Sequence, residues 1–164
     1  MRILGIDPGT LHMGVGLVDA DSDSLKPAFA DALRAARSDP LPLRLNYLYN
    51  TLVDLIRQWG PSVVAIEHPF LARNVRSALA VGQAQAVAMM AAAQCGIPVY
   101  NYSPRQVKKS VTDHGGSSKA QVQEMVILLL GLESPPKSVD ASDALAVAIC
   151  HANASQTQDL VISE

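Results

Sequence analysis

The order of apolar and polar positions divides the chain into alternating short and long elements. Residues Arg2–Asp7 make a nearly unbroken apolar run, as in a strand covered on both faces, and the turn-forming Asp7-Pro8-Gly9-Thr10 closes it. Residues 12–18 predict a second strand, whose Gly14 and Gly16 leave room for another backbone to come close. The polar stretch 19–24 turns into residues 25–33, so three strands in an antiparallel meander are expected. From 43 to 59, Leu45, Leu48, Leu52, Leu55, Ile56 and Trp59 recur at steps of three and four, which predicts an amphipathic helix stopped by Gly60-Pro61. Residues 62–67 are apolar and β-branched, the pattern of a central strand.

The second half reads as helix, strand and three further helices. An alanine-rich helix covers 74–94 and ends at Gly96; a short strand covers 97–102. Ser103 as N-cap and Pro104 in the first position open the next helix. Gly115-Gly116-Ser117-Ser118 separates it from a helix over Lys119–Leu130, and Pro135-Pro136 precedes a last helix from about Val139. The polar tail, 153–164, is expected to fray. This order gives an α/β fold, one mixed sheet with helices on both faces, in a single domain spanning 1–164.

Composition narrows the setting. Of 164 residues, 49% are hydrophobic and 17% charged, enough for a core and too apolar for disorder. No apolar run reaches the roughly 20 residues of a membrane span, and the N-terminus runs into a strand with no signal peptide. Cys95 and Cys150 stand far apart, outside any Cys-x-x-Cys pair, so a reduced, cytoplasmic protein without a thiolate zinc site is expected. The net charge of −2 speaks against nucleic acid until it is mapped. Between His68 and Gln123 stand Arg73, Arg76, Arg105, Lys108, Lys109 and Lys119 against Asp113 alone, a local +5. The rest of the chain carries −7, a polarity that suits one face to an anionic partner.

Four acids occupy costly positions. Asp7 ends the first strand and Glu67 ends the central one, while Asp140 and Asp143 share one face of the last, otherwise apolar helix. Taken singly, Asp7 fits a turn, Glu67 an arginine partner, and Asp140 the favourable end of a helix dipole. Taken together, two strand ends and a helix start would bring four carboxylates into one place, where they repel unless cations join them. Oxygen-only ligands suit Mg²⁺ or Mn²⁺, and two such ions are a recurrent device for displacement at phosphorus.

These segments carry a resemblance. Gly5-Ile6-Asp7-Pro8-Gly9-Thr10, Ala65-Ile66-Glu67-His68-Pro69-Phe70 and Ser77-Ala78-Leu79-Ala80-Val81-Gly82-Gln83-Ala84 occur in order. Arg105-Gln106-Val107-Lys108, Lys119-Ala120-Gln121-Val122-Gln123 and Asp140-Ala141-Ser142-Asp143-Ala144-Leu145-Ala146 follow. The chain resembles the RuvC family of bacterial Holliday-junction resolvases over essentially its whole length. The resemblance implies a ribonuclease-H-like fold with a mixed five-stranded sheet, a homodimer, and a site for two Mg²⁺ (Mn²⁺ substituting) held by Asp7, Glu67, Asp140 and Asp143. It implies paired, symmetric nicking of four-way junction DNA during recombination and repair, leaving 5′-phosphate and 3′-hydroxyl ends. It also implies a RuvA–RuvB branch-migration partner.

By the same match, Lys108 and Lys119 lie near the scissile phosphate and assist the chemistry, and Phe70 stacks on or wedges beside an unpaired base. Arg73, Arg76 and Arg105 are read as phosphate contacts; a solvated surface is the alternative for the arginines, and a core position for Phe70. Lys109, turned about 100° from Lys108 on a helix, reads as surface. The small-residue helix 74–94 is where the family dimerises. Three other readings remain: an actin-like ATPase, from Asp7-Pro8-Gly9-Thr10; an RNA nuclease on the same fold; and a junction binder with a dead site, which the presence of all four acids disfavours.

Overall fold

A computed structural model describes residues 1–68 and 75–162, with side chains as far as 156. Its elements are β1 (Arg2–Asp7), β2 (His12–Ala20), β3 (Leu25–Arg34), α1 (Leu41–Trp59), β4 (Val63–Glu67) and α2 (Val75–Gln94). β5 (Val99–Tyr102), α3 (Pro104–Thr112), α4 (Lys119–Leu130) and α5 (Val139–Ile162) complete them. The sheet order is β3-β2-β1-β4-β5. The meander β1–β3 is antiparallel, and β4 and β5 extend it in parallel from the β1 edge. The five-stranded mixed sheet expected from the sequence is therefore present.

Strand alternation assigns each face. Leu4, Ile6, Val64 and Ile66 pack with Leu48, Leu52 and Ile56 of α1 and Ala84, Ala88 and Ala91 of α2. Ile3, Val63 and Ala65 point the other way, into a core with α3, α4 and the apolar length of α5. Because Asp7 and Glu67 continue the odd-numbered series, they emerge on the α5 face.

Several boundaries differ from the expected ones for local reasons. α1 begins at Leu41 because prolines in the first turn sacrifice only N–H groups that have no helical partner. β5 begins at Val99, after Pro98, which has no N–H but accepts from the Val64 amide at 2.9 Å. Pro27 sits on the edge strand β3, and a register shift opposite Leu17/Val18 absorbs it. The largest correction is the tail. α5 continues past Asn153, where fraying is expected from the sequence, to Ile162. Asn153 donates to the Ser110 carbonyl at 3.0 Å, and Gln156 donates to the Asp21 and Ser22 carbonyls at 3.2 and 3.3 Å, so polar side chains tie this stretch to α3 and the β2–β3 turn.

Candidate active site

Glycines bring the last helix onto the sheet. Asp7 pairs with Gly14, and Gly5 with Gly16, making a side-chain-free trough across β1 and β2. A Cβ at Gly5 would overlap the Ala144 carbonyl, one at Gly14 the Asp140 carbonyl, and one at Gly16 would stand 2.8 Å from the Leu145 amide. The trough admits backbone where a side chain would hold a helix off. The close approach read from Gly14 and Gly16 is thus made by α5, and it sets the first turn of that helix beside Asp7. Ser138 holds the start of the helix, accepting from the Ala141 amide at 3.1 Å.

The four acids then act on one another. Burial pushes the Asp7 carboxyl up to about 7, and the charges of Glu67, Asp143 and Asp140 add to that effect, with Lys119 opposing it. Glu67 is likewise raised, by burial first and then by Asp143, against Lys119 and Lys108. Lys119 Nζ donates to Asp143 Oδ2 at 3.1 Å. That hydrogen bond is the main cause that raises the ammonium's own proton affinity, with Asp143, Asp7 and Glu67 adding charge. The pair is lopsided: the lysine side chain is 74% exposed and the aspartate 19%, so the lysine can leave while the acid stays. The capping boxes of Ser118 and Gln121 on α4, and of Ser103 and Gln106 on α3, fix the starts of the helices that bear Lys119 and Lys108. A cleft of about 210 Å³ is lined by Glu67, Asp143, Lys108, Lys119, Pro104 and Val107, among others.

Among the described residues, no three His, Cys, Asp or Glu side chains close into a cage for a metal ion as they stand. Asp143 is held by Lys119 in this arrangement. The donor set nevertheless fits a hard divalent cation, being carboxylate oxygen only, half-sunk at strand ends, with an anionic excess that one exposed lysine only partly offsets. Such a cation would draw the oxygens inward.

Arg105 is exposed, and its side chain lies over Gly115. Arg76 is exposed in the first turn of α2. Phe70 and Arg73 fall outside the described residues. Two polar networks escaped the sequence reading. His68 Nδ1 lies 3.0 Å from Gln85 Oε1, and Gln85 Nε2 donates to Asn101 Oδ1 at 3.0 Å. Behind the site, the Tyr102 hydroxyl lies 2.7 Å from His151 Nδ1, both buried. A histidine within the apolar run Ala148-Ile149-Cys150-His151 was the available signal for the second; no single-sequence pattern marks the first.

The family model for crossover junction endodeoxyribonuclease RuvC matches residues 3–151. The chain is 50% identical over 151 residues to a crossover junction endodeoxyribonuclease RuvC of Dehalococcoides mccartyi, covering 92% of this chain and 90% of that one. It is also 50% identical over 157 residues to the Chloroflexus aggregans protein of the same name, covering 96% of each. Among solved structures, T. thermophilus RuvC in complex with Holliday junction substrate superposes with a TM-score of 0.92 at 31% identity, again over 96% of each chain. Strand-end acids, the glycine trough and end-to-end similarity lead to one conclusion: the chain belongs to the RuvC family of crossover junction endodeoxyribonucleases.

Proposed function

We propose that this chain resolves four-way DNA junctions by paired nicking, with Asp7, Glu67, Asp140 and Asp143 as ligands of two Mg²⁺ ions. The observation that carries the reading is a buried Asp7 facing the other three acids: burial first, and their charges in addition, raise its proton affinity to about 7. Spending burial on four like charges makes sense only where cations enter. Bound there, the metals would supply an activated water and charge stabilisation for the departing 3′-oxygen. Mn²⁺, with the same taste for carboxylate oxygen, would substitute.

The protein's own groups have distinct tasks. Asp7, raised by burial and by the charges of the other three acids, would be a ligand of the metal ions. Lys119 stands at the N-terminus of α4, where helix amides also favour phosphate, and its exposed ammonium, now on Asp143, would be available to the DNA. Lys108, on the same cleft, would neutralise an adjoining phosphate, and Arg76 and Arg105, both exposed, keep the phosphate-contact role read from the sequence. Phe70 and Arg73 follow Glu67 in the chain and keep the base-stacking and phosphate-binding roles implied by the family match.

A second copy is part of the proposal. Val75, Leu79, Gly82, Ala86 and Met90 form an exposed stripe along α2, with Val75 84% and Leu79 63% exposed. Joined across a twofold axis, such stripes would set two sites against two strands. Partnership with a RuvA–RuvB complex and a cytoplasmic location rest on family membership alone; no helix of the described residues is long and apolar enough to cross a membrane. The test is a nicking assay on a four-way junction and on linear duplex, with Mg²⁺ and with chelator. Symmetric, ligatable nicks in the junction alone, only with metal, are expected. Cutting in chelator, or equal cutting of duplex, would contradict the proposal.

A further inference from the structure

Glu67 leaves β4 toward α5, and the next residue, His68, turns to the opposite face of the sheet. There α2 presents Gln85, a glutamine only 9% exposed in an otherwise apolar and small-residue surface. Its two amide atoms are both committed: Oε1 to His68 Nδ1 at 3.0 Å, Nε2 to Asn101 Oδ1 at 3.0 Å. Asn101 stands opposite Ile66 in the β4–β5 register, one residue before the Glu67–Tyr102 pair. The His68 amide donates to the Tyr102 carbonyl at 2.7 Å, completing the attachment of this strand end to β5. One buried side chain thus bridges the two strands at the level of Glu67.

The bridge has a direction. Since Nε2 donates to Asn101, Oε1 is left as acceptor, and His68 must supply the proton from Nδ1. That places a proton on Nδ1 of an imidazole whose other edge faces solvent. We infer that Gln85 is a positioning residue for Glu67: by keeping a proton on His68 Nδ1 and binding Asn101, it holds the carboxyl end of β4 in register at the cutting site. This rests on the reading of Glu67 as part of that site. A buried, doubly bonded amide is an expensive way to fill space, because any polar atom left unpaired there loses its water without a replacement partner. Its return is precision at a strand end that carries a carboxylate.

The test combines a spectroscopic readout with kinetics. In the full-length wild type, ¹⁵N NMR of the imidazole should show His68 protonated at Nδ1, and Gln85→Met, of similar volume, should lose that signature. Single-turnover nicking by Gln85→Met should fall roughly 10–100-fold, as when a group supporting a ligand is removed. Junction affinity should stay within about twofold, because phosphate contacts supply it. Gln85→Glu should keep most of the rate: the carboxylate still accepts from His68, and the Asn101 amide can rotate to donate. Gln85→Glu with Asn101→Asp, which sets two acceptors together, should be slow again. All rates are compared well below each variant's melting temperature, so that unfolding does not enter. An Nε2–H tautomer, an unchanged rate for Gln85→Met, or equal losses in the Met and Glu variants would overturn the inference. If Glu67→Gln itself cut normally, the site reading and the inference would fall together; if Glu67→Gln is inactive and Gln85→Met is not, only the inference fails.

Discussion

The two faces of the sheet are built on opposite principles. Toward α1 and α2, strand residues are bulky (Leu4, Ile6, Met13, Val15, Leu17) and meet Leu48, Leu52 and Ile56, so the helices stand off on a layer of side chains. Toward α5, the strands present Gly5, Gly14 and Gly16 to the backbone of Asp140, Ala144, Leu145 and Ala148, and helix backbone rests on strand backbone. The first face gains stability from buried area. The second brings Asp140 and Asp143 toward Asp7 and Glu67, an arrangement that costs stability through charge repulsion and that the proposed function turns to chemistry. Stability and function are thus separated by the thickness of one sheet.

Matched substitutions on the two faces should break that symmetry most visibly. Gly14→Ala inserts a methyl where the Asp140 carbonyl already sits, forcing the start of α5 outward. A displacement of even 1 Å at a reacting centre can cost about a hundredfold in rate, so single-turnover nicking should drop by at least that order. Leu52→Ala, fully buried on the other face, should cost about 2–5 kcal/mol. Below its melting temperature it should nevertheless cut at close to the wild-type rate. Denaturant melts and nicking rates on both variants check the contrast; equal rate losses would mean that the faces are not separable.

Charge sharpens the comparison next. Asp7 has its proton affinity raised from the ordinary carboxylate value to about 7. The native state therefore holds a proton that the unfolded chain has released between about pH 4 and pH 7. Stability must fall as pH rises through that window, by about 2–4 kcal/mol from this one group. Asp7→Asn removes the dependence, so metal-free protein should melt higher than wild type at pH 8 and no higher below pH 4. Saturating Mg²⁺ should reverse the order at pH 8, since only the wild type gains a bound cation. Thermal melts at four combinations of pH and metal decide it.

The basic surface should show the smallest effects. Lys108→Ala and Lys119→Ala should each lower the salt slope of junction affinity by about 0.9 if each neutralises one phosphate. Lys119→Ala should slow cutting as well, because Lys119 also pairs with Asp143. Affinity titrations from low to physiological salt measure the slope, and an unchanged slope would remove these lysines from the interface.

Most of the architecture was legible because it rests on local rules. The period of α1, the Ser103-Pro104 start, the Gly-Gly-Ser-Ser break and the apolar strand ending in Glu67 each state their structure within a few residues. The four acids were legible as a set because acids at the ends of apolar strands are rare enough to demand a reason. What escaped depends on distant partners. Nothing near Gln85 in sequence announces His68 and Asn101, and nothing near Asn153 or Gln156 announces Ser110 or the β2–β3 turn, so the tail was read as frayed. Polar residues whose partners lie far along the chain look like surface until the fold joins them.

The central claim is that the carboxylates assembled by α5 do the cutting and the basic surface does the holding. The direct measurement is single-turnover nicking of a four-way junction by Asp7→Asn in saturating Mg²⁺, with junction affinity measured in parallel. The expected result is a rate lower by roughly a thousandfold or more, with affinity equal to or above wild type because one repelling charge has gone. A variant that binds normally and still cuts at a rate near wild type would contradict it.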